Sequence, residues 1–304
     1  MRILGQHLGR MYIASILLLL IAAGASAYML GRFPYLMLVS VAVSAATELA
    51  LSRYHKHRKL QIPYSGIITG LIIGSIAPLG VPMIPLVMAS VIAVGSKFLL
   101  KLKHVNIFNP AAFGMLFGLG LFSIGGSWWA TGSVNIYGAT VSVSVIMIIA
   151  AYEARRLPLG LSFAASMIII SMLSTGQIGI GSLWYALLGI NYLFAFLMLT
   201  EPKTSPAKPL HQVAYGVYVA LVYLAITFAG SNNAWVAQQA ILISLLVGNL
   251  TYALVRVWGG RIVLRISTSS VGKSRTHDKP AFPNPSNEAH TLQWLNVQSA
   301  FSID

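Results

Sequence analysis

The stretch Tyr12–Met29, YIASILLLLIAAGASAYM, decides the fold, because it is an unbroken apolar run without a charged side chain. Its 18 residues match the length of a helix that spans a bilayer, roughly 17 to 25 residues. Backbone amides inside lipid must bond within their own segment, which predicts a helix. A membrane β-strand would alternate apolar and polar residues, and Ile16–Ala23 does not. We therefore expect a first transmembrane helix that is retained and not cleaved as a signal peptide.

The composition extends this prediction to the whole chain. Hydrophobic residues make up 57% of the sequence and charged residues 9%, whereas soluble domains carry about 25% charged residues. This is too little charge to cover a surface in water, so we predict an all-α polytopic membrane protein. The chain has no cysteine, which excludes disulfides and cysteine-ligated iron–sulfur clusters carried by this chain alone.

Ten apolar segments follow one another along the chain, and Tyr12–Met29 is the first. The other nine are Phe33–Leu51, Ser65–Ala77, Pro82–Leu100, Pro110–Ile124, Ala139–Tyr152, Pro158–Leu173, Ile180–Leu199, Val213–Ala229 and Val236–Val257. They predict a transmembrane domain over residues 1–260. Residues 261–304 are rich in proline, serine and asparagine, and we expect an extended or partner-ordered polar tail there.

The basic residues test the number of segments. If the N-terminus is cytoplasmic, ten crossings place every Lys and Arg cluster inside, and the outer connections hold only Arg32. This predicts ten helices with both termini in the cytoplasm, in a plasma or inner membrane. The net charge of +14 then reflects orientation in the lipid bilayer and not nucleic-acid binding, which would gather cations on one soluble element.

Three segments are short, and two of them, Ser65–Ala77 and Pro110–Ile124, are rich in glycine and bounded by proline. Such segments mark either discontinuous helices that form a binding site or tight glycine-lined helix contacts. Two halves of five segments are also conceivable, but the sequence alone does not establish an internal repeat.

Few ionisable side chains lie near the apolar segments. Glu48 is placed to pair with Arg53 at the membrane interface, and Lys97 is placed to anchor a helix end or to form a cationic rim. Glu201 lies in a proline-punctuated stretch that reads equally as a shaped site or a plain turn. The histidines form no i, i+4 pair within an apolar run, so we predict no haem and no metal site.

Tyr137-Gly138-Ala139-Thr140 lies where an uncharged connection enters the sixth segment. A threonine hydroxyl in the first turn of a helix sits beside unpaired N–H groups and the positive end of the helix dipole. This setting suits a phosphate group, although an ordinary helix start has the same appearance.

Four stretches, in this order, resemble the RnfD/NqrB family, the membrane subunits of the Rnf electron-transport complex and of the sodium-translocating NADH:quinone reductase. They are Ser65-Gly66-Ile67-Ile68-Thr69-Gly70, Lys103-His104-Val105-Asn106-Ile107-Phe108-Asn109-Pro110-Ala111-Ala112-Phe113-Gly114, Gly138-Ala139-Thr140, and Thr200-Glu201-Pro202-Lys203-Thr204-Ser205-Pro206. The second and fourth are the most specific, and the resemblance covers about residues 10–260.

The resemblance implies a ten-helix fold related to urea transporters, with FMN attached to the matching threonine, Thr140, on the non-cytoplasmic side. It implies electron transfer to neighbouring subunits, coupled to Na⁺ or H⁺ movement. The family's attachment motif has an acidic residue and a Ser or Thr where this chain has Val134 and Tyr137. Covalent FMN, a non-covalent flavin such as riboflavin, and no flavin therefore stay open. Trp128, Trp129 and Tyr137 are candidates to cover the flavin ring.

We accordingly expect a membrane redox subunit whose candidate cofactor-binding residues come from two of the four stretches and from the start of the sixth segment. These are Tyr137, Gly138, Ala139, Thr140, Asn109, Pro110, Glu201, Thr204 and Ser205. The alternatives are a solute channel or transporter without redox function, and a scaffold subunit without flavin.

Overall fold

The computed structural model describes the backbone of residues 2–56, 62–102, 105–131, 137–176 and 179–273, and the side chains of residues 12–54, 62–102, 105–130, 144–176 and 179–257. Within these residues the α-helices are, in order, α1 Arg2–Leu30, α2 Tyr35–Lys56, α3 Tyr64–Ile76, α4 Met83–Leu99, α5 Pro110–Gly114, α6 Tyr137–Glu153, α7 Leu157–Thr175, α8 Ile180–Leu188, α9 Pro209–Ala229 and α10 Ala234–Lys273. A two-stranded antiparallel hairpin, β1 Lys101–Leu102 and β2 Val105–Asn106, separates α4 from α5.

The helices coincide with the ten predicted apolar segments. Five described stretches are long and apolar enough to cross a membrane: Tyr12–Leu30, Tyr35–Tyr54, Leu157–Thr175, Pro209–Ala229 and Ala234–Val257. Large apolar side chains on these and neighbouring helices point away from the core, such as Tyr28 at 88% and Phe228 at 83% exposure. An apolar exterior of this kind requires lipid, so the chain is a mostly helical, membrane-embedded protein.

The glycines of α3 form a tight helix contact and not a helix break. Gly66, Gly70 and Gly74 recur at every fourth residue and face α2, because residues four apart share one face of a helix. A Cβ on Gly70 would lie 2.5 Å from the Cα of Val41. The missing side chains let the α2 and α3 backbones approach, as small residues do in membrane bundles.

Two other segments depart from a regular α-helix. After α5, the chain continues as a π-helix over Met115–Leu119 and a 3₁₀ turn over Gly120–Phe122. The eighth segment stops at Leu188 and resumes as a second π-helix over Phe194–Met198. A π-helix widens the turn and redirects side chains, and such bulges are frequent at functional sites. In Pro110–Ile124 the helical turns thus continue without a gap from Pro110 to Phe122, and only the eighth segment is broken, after Leu188.

One end of the bundle gathers the ionisable side chains. Lys97 near the end of α4 bonds to Ser65 at the start of α3, and Arg156 at the start of α7 bonds to Ser205 before α9. We call this the charged end. At the opposite end, two tryptophan side chains bond neighbouring segments to each other. The Trp129 indole N–H donates to the Gly74 carbonyl, and the Trp235 indole N–H donates to the Gly120 carbonyl.

The chain divides into two units, residues 1–255 and 256–304. The helix α10 continues to Lys273, past the residue at which we expected the polar tail to begin. Residues 274–304, the greater part of that tail, lie outside the described residues.

The α2–α3 contact predicts that two glycine substitutions change the stability of the protein in opposite directions. Gly70→Ala should destabilise the protein by about 1–3 kcal/mol, because the new methyl group overlaps the α2 backbone. Gly95→Ala in α4 meets no atom within 4 Å and should stabilise by up to about 1 kcal/mol, the helix-propensity difference. Thermal unfolding in detergent measures both, and equal effects of the two would contradict the close approach.

Candidate functional site

The Asn109 side chain forms hydrogen bonds to both of the irregular segments. Its Oδ1 accepts a hydrogen bond from the backbone N–H of Ala112 at 3.0 Å, and Pro110 occupies the first turn, where its missing N–H costs nothing. Its Nδ2 donates to the carbonyl of Met198 at 3.1 Å, in the second π-helix. One buried side chain therefore bonds a backbone N–H at the start of one segment and a backbone carbonyl at the end of another.

Asn249 of α10 completes this network. Its Oδ1 accepts from the backbone N–H of Asn109 at 2.8 Å, and its Nδ2 donates to the Tyr215 hydroxyl at 2.9 Å and to the Thr204 carbonyl at 3.3 Å. Asn249 is 1% exposed. The two asparagines thus join the stretch around Asn109 to the stretch Thr200–Pro206, although about ninety residues separate the two stretches in the sequence.

The stretch Thr200–Pro206 is a turn held by its own hydrogen bonds. The Thr204 backbone N–H donates to the Glu201 carbonyl at 3.2 Å, and the Ser205 hydroxyl donates to the same carbonyl at 2.7 Å. The Thr204 hydroxyl also donates to the Glu201 carboxylate at 3.4 Å. Thr204 and Ser205 are buried and hold the turn, and Glu201 is half-buried where it lines the adjoining cavity.

A cavity of about 230 Å³ lies against both stretches at the charged end. Its walls come from α1, α3, α4, α6 and the second π-helix, with apolar side chains such as Ile72 and Phe196. Its polar lining includes Thr69, Lys97, Asn109, Thr200, Glu201 and Lys203. An apolar chamber with a few convergent polar groups is the usual composition of a small-molecule site.

Lys97 is a buried cation and not a rim or an anchor at the surface. It is 7% exposed, and its Nζ donates to the Ser65 carbonyl at 2.9 Å and the Ser65 hydroxyl at 2.8 Å. Glu48 Oε2 lies 3.8 Å from this ammonium. The predicted pair of Glu48 with Arg53 was therefore wrong: packing of α2 on α4 supplies a cation that sequence proximity could not reveal. A second cavity of about 350 Å³ reaches both side chains.

Burial dominates the electrostatics of Glu201. It raises the pKa of this carboxyl above the ordinary value of 4.5, and Lys203, Lys97 and the Thr204 hydroxyl only partly offset it. At Arg156, burial lowers the pKa of the guanidinium below its ordinary value. Both groups lie in connections between helices at the charged end.

The predicted site residues form two separate groups. The cavity is lined by Asn109, Pro110 and Glu201. Next to it, the Thr204 and Ser205 hydroxyls donate hydrogen bonds to Glu201. The helix α6 begins at Tyr137, so Tyr137, Gly138, Ala139 and Thr140 form its first turn, but their side chains lie outside the described residues. At 1.5 Å per residue, Thr140 lies about 20 Å along α6 from Glu153, which lines the cavity.

Of the three aromatic residues considered as ring covers, the structure describes two side chains. Trp129 is 7% exposed and its indole N–H is bonded to Gly74, so it belongs to the core and cannot cover a ligand without leaving it. Trp128 packs edge-on against Phe194. Tyr137 lies outside the described side chains.

Sequence reasoning missed Asn249 and Tyr215. Both are polar residues within apolar helices, and an amide inside an apolar run is a signal that could have identified Asn249. Its partners were not identifiable, because they come from three separate parts of the chain.

The asparagine network predicts a large effect of a small change. Asn249→Ala leaves the Asn109 N–H, the Thr204 carbonyl and the Tyr215 hydroxyl without their partner, and should destabilise the protein by about 2 kcal/mol or more. Asn232→Ala, at an exposed position before α10, should change stability by less than about 0.5 kcal/mol. Thermal unfolding in detergent compares the variants, and an equal response of both would refute the network.

The raised pKa of Glu201 predicts a pH-dependent difference. The fold binds this proton more tightly than the unfolded chain, so the wild type loses stability as the pH rises from 4.5 through the raised pKa. Glu201→Gln cannot ionise and avoids this loss. The melting temperature of Glu201→Gln minus that of the wild type should therefore increase with pH in this window. A difference that shrinks as the pH rises would contradict the burial of the carboxyl.

No protein-family model matches the chain, and no curated protein matches it. The resemblance to the RnfD/NqrB family therefore rests on the four stretches of sequence, and its functional content is a proposal. Three of those stretches line one cavity, through Thr69, Asn109 and Glu201.

Proposed function

We propose that this chain is a membrane subunit of an electron-transport complex of the Rnf or Nqr kind, which holds a flavin and helps to couple electron flow to Na⁺ or H⁺ translocation. One observation carries the proposal. The two most specific stretches of the resemblance, around Asn109 and Glu201, border a single cavity, and Asn249 joins them, since it accepts from the Asn109 N–H and donates to the Thr204 carbonyl. As a subunit, the chain acts with other membrane subunits as part of an ion-translocating oxidoreductase.

The proposed topology has ten crossings in a plasma or inner membrane, with both termini in the cytoplasm and a fold of the urea-transporter kind. Two findings support it. Each predicted apolar segment coincides with helical structure, and Lys97, Arg156 and Lys203 lie at one end of the bundle. These cations lie at or just after the ends of the fourth, sixth and eighth segments, and the positive-inside rule places such alternate connections at one face of the membrane.

The cavity has the composition that a flavin ring needs. The Thr69 and Thr200 hydroxyls each donate within their own helical segment, to Ser65 and Phe196, so their oxygens remain able to accept from a ligand N–H. Apolar walls from Ile72 and Phe196 suit the faces of a planar ring. A bound flavin, riboflavin or FMN, supplies the redox chemistry, and the chain supplies position and exclusion of water.

A covalent FMN at Thr140 is the second part of the proposal, and one experiment tests both parts. The full chain, purified from its native membrane, should show flavin absorbance. Its intact mass should carry a fixed FMN increment that Thr140→Ala removes and Ser142→Ala, two residues along α6, retains. Any flavin held in the cavity should be released by denaturation. Ala150→Phe fills the cavity and should abolish that released fraction.

Val145→Phe is the matched control for the cavity, since Val145 lies on the same helix but is 51% exposed. Elution as a single folded species qualifies each variant. A colourless wild type from its native membrane, with no mass increment and no extractable flavin, would refute the flavin proposal. If such a chain still co-purified with redox subunits, a scaffold role would replace it.

A solute channel or transporter is the second candidate function, and the position of the two cavities supports it. The 230 Å³ and 350 Å³ cavities share Ser65, Lys97 and Lys203 and both lie at the charged end, as an entry vestibule would. Liposomes containing the chain alone separate the candidates. A channel should pass small neutral or cationic solutes, whereas a redox subunit without its partners should show no flux above that of empty liposomes.

A further inference from the structure

Four basic residues lie where α6 ends and where α7 and α9 begin. We call Arg155, Arg156, Lys208 and His211 the basic cluster, because two hydrogen bonds bring the segments that carry them together. Arg156 Nε donates to the Ser205 hydroxyl at 3.3 Å. Gln212 Nε2 donates to the Arg155 carbonyl at 3.1 Å, which brings the first turn of α9 against the end of α6.

The basic cluster has no counter-ion in the described part of the chain. Lys97 has Glu48 at 3.8 Å, but no described carboxylate forms an ion pair with any of the four cluster residues. Glu153 and Glu201, the nearest acidic residues in the sequence, line the cavity instead. The Arg156 guanidinium carries five N–H donors, and its hydrogen bonds are a 3.3 Å bond to Ser205 and a long 3.4 Å bond to the Arg155 carbonyl.

The backbone adds to the positive potential. The helices α7 and α9 both begin at this cluster, pack against each other, and have no side-chain cap at their N-termini. The positive ends of the two helix dipoles favour a negative charge beside the cations. The cationic side chains and the N-terminal ends of the two helices therefore attract an anion to the same place.

An exposed apolar strip continues from the cluster along α9. Leu210, Val213, Val217 and Leu221 follow at spacings of three and four residues and so share one face of the helix. They are 78%, 42%, 38% and 54% exposed. The strip starts beside Lys208 and His211 and runs away from the charged end, in the direction that an acyl chain takes from its headgroup.

We propose that the basic cluster and the apolar strip bind one anionic phospholipid, with the phosphate at Arg156 and Lys208 and an acyl chain along α9. A phosphodiester fits the chemistry, because arginine offers a planar fork of donors to phosphate oxygens and lysine a compact charge. A cation cluster at the membrane surface without acidic partners attracts the anionic leaflet. This proposal rests on membrane embedding alone and is independent of the flavin.

The test uses the full chain in detergent, titrated with phosphatidylglycerol or with phosphatidylcholine of the same acyl chains, and native mass spectrometry to count bound lipid. Phosphatidylglycerol should be retained and phosphatidylcholine should not. The double variant Arg156→Gln, Lys208→Gln should bind phosphatidylglycerol roughly 30-fold more weakly, at about tenfold per 1.4 kcal/mol. Arg53→Gln, Lys101→Gln removes two exposed cations from the same end and should bind like the wild type.

The variant Arg156→Lys, Lys208→Arg keeps both charges and should retain binding, which keeps the test valid if the glutamine variant does not fold. Inorganic phosphate at the same concentration should not displace the lipid, because it has no acyl chain for the strip. Displacement by phosphate would reassign the cluster to a soluble anion and overturn the lipid proposal. Equal retention of the two lipids, or equal loss in both glutamine variants, would also overturn it.

Discussion

A backbone amide inside an apolar bundle has no water to bond, and a helix interrupted inside the bundle exposes several such groups at once. In this chain two buried asparagines satisfy that constraint. Asn109 and Asn249 together bond five polar groups: the N–H groups of Ala112 and Asn109, the carbonyls of Met198 and Thr204, and the Tyr215 hydroxyl. A carboxamide both donates and accepts, so it can close a helix start and a helix end together.

The same constraint explains how charge is distributed at the charged end. Lys97 and Glu48 lie within the helix contacts and face each other, and Gly66 makes room, since a Cβ there would lie 2.7 Å from Glu48 Oε2. An unpaired ion at that depth would be costly. The buried cation Lys97 is thus paired within the protein, whereas Arg155 and Lys208 are exposed.

Much of the fold was predictable because its signals are local. Length and hydropathy located the helical segments, and Ser65–Ala77 and Pro110–Ile124 were recognisable as unusual from their glycine and proline content. Their different outcomes were not predictable. Glycines at four-residue spacing serve a close contact in α3, whereas in the segment after Asn109 a π-helix breaks the regular turn. Which of the two occurs depends on the backbone of the neighbouring helix, and a single segment does not contain that information.

The sequence by itself determined that the chain is helical and membrane-embedded, because burial in lipid forces each segment to satisfy its own backbone and this leaves a local signature. It also brought Asn109 and Glu201 to attention as motif residues. Only the tertiary structure decided their partners. Asn109 meets Asn249 across 140 residues, and Glu48 faces Lys97 on α4 in preference to Arg53 one turn away. Side-chain pairs depend on how helices rotate and cross when they pack, and that geometry is a property of the assembled bundle.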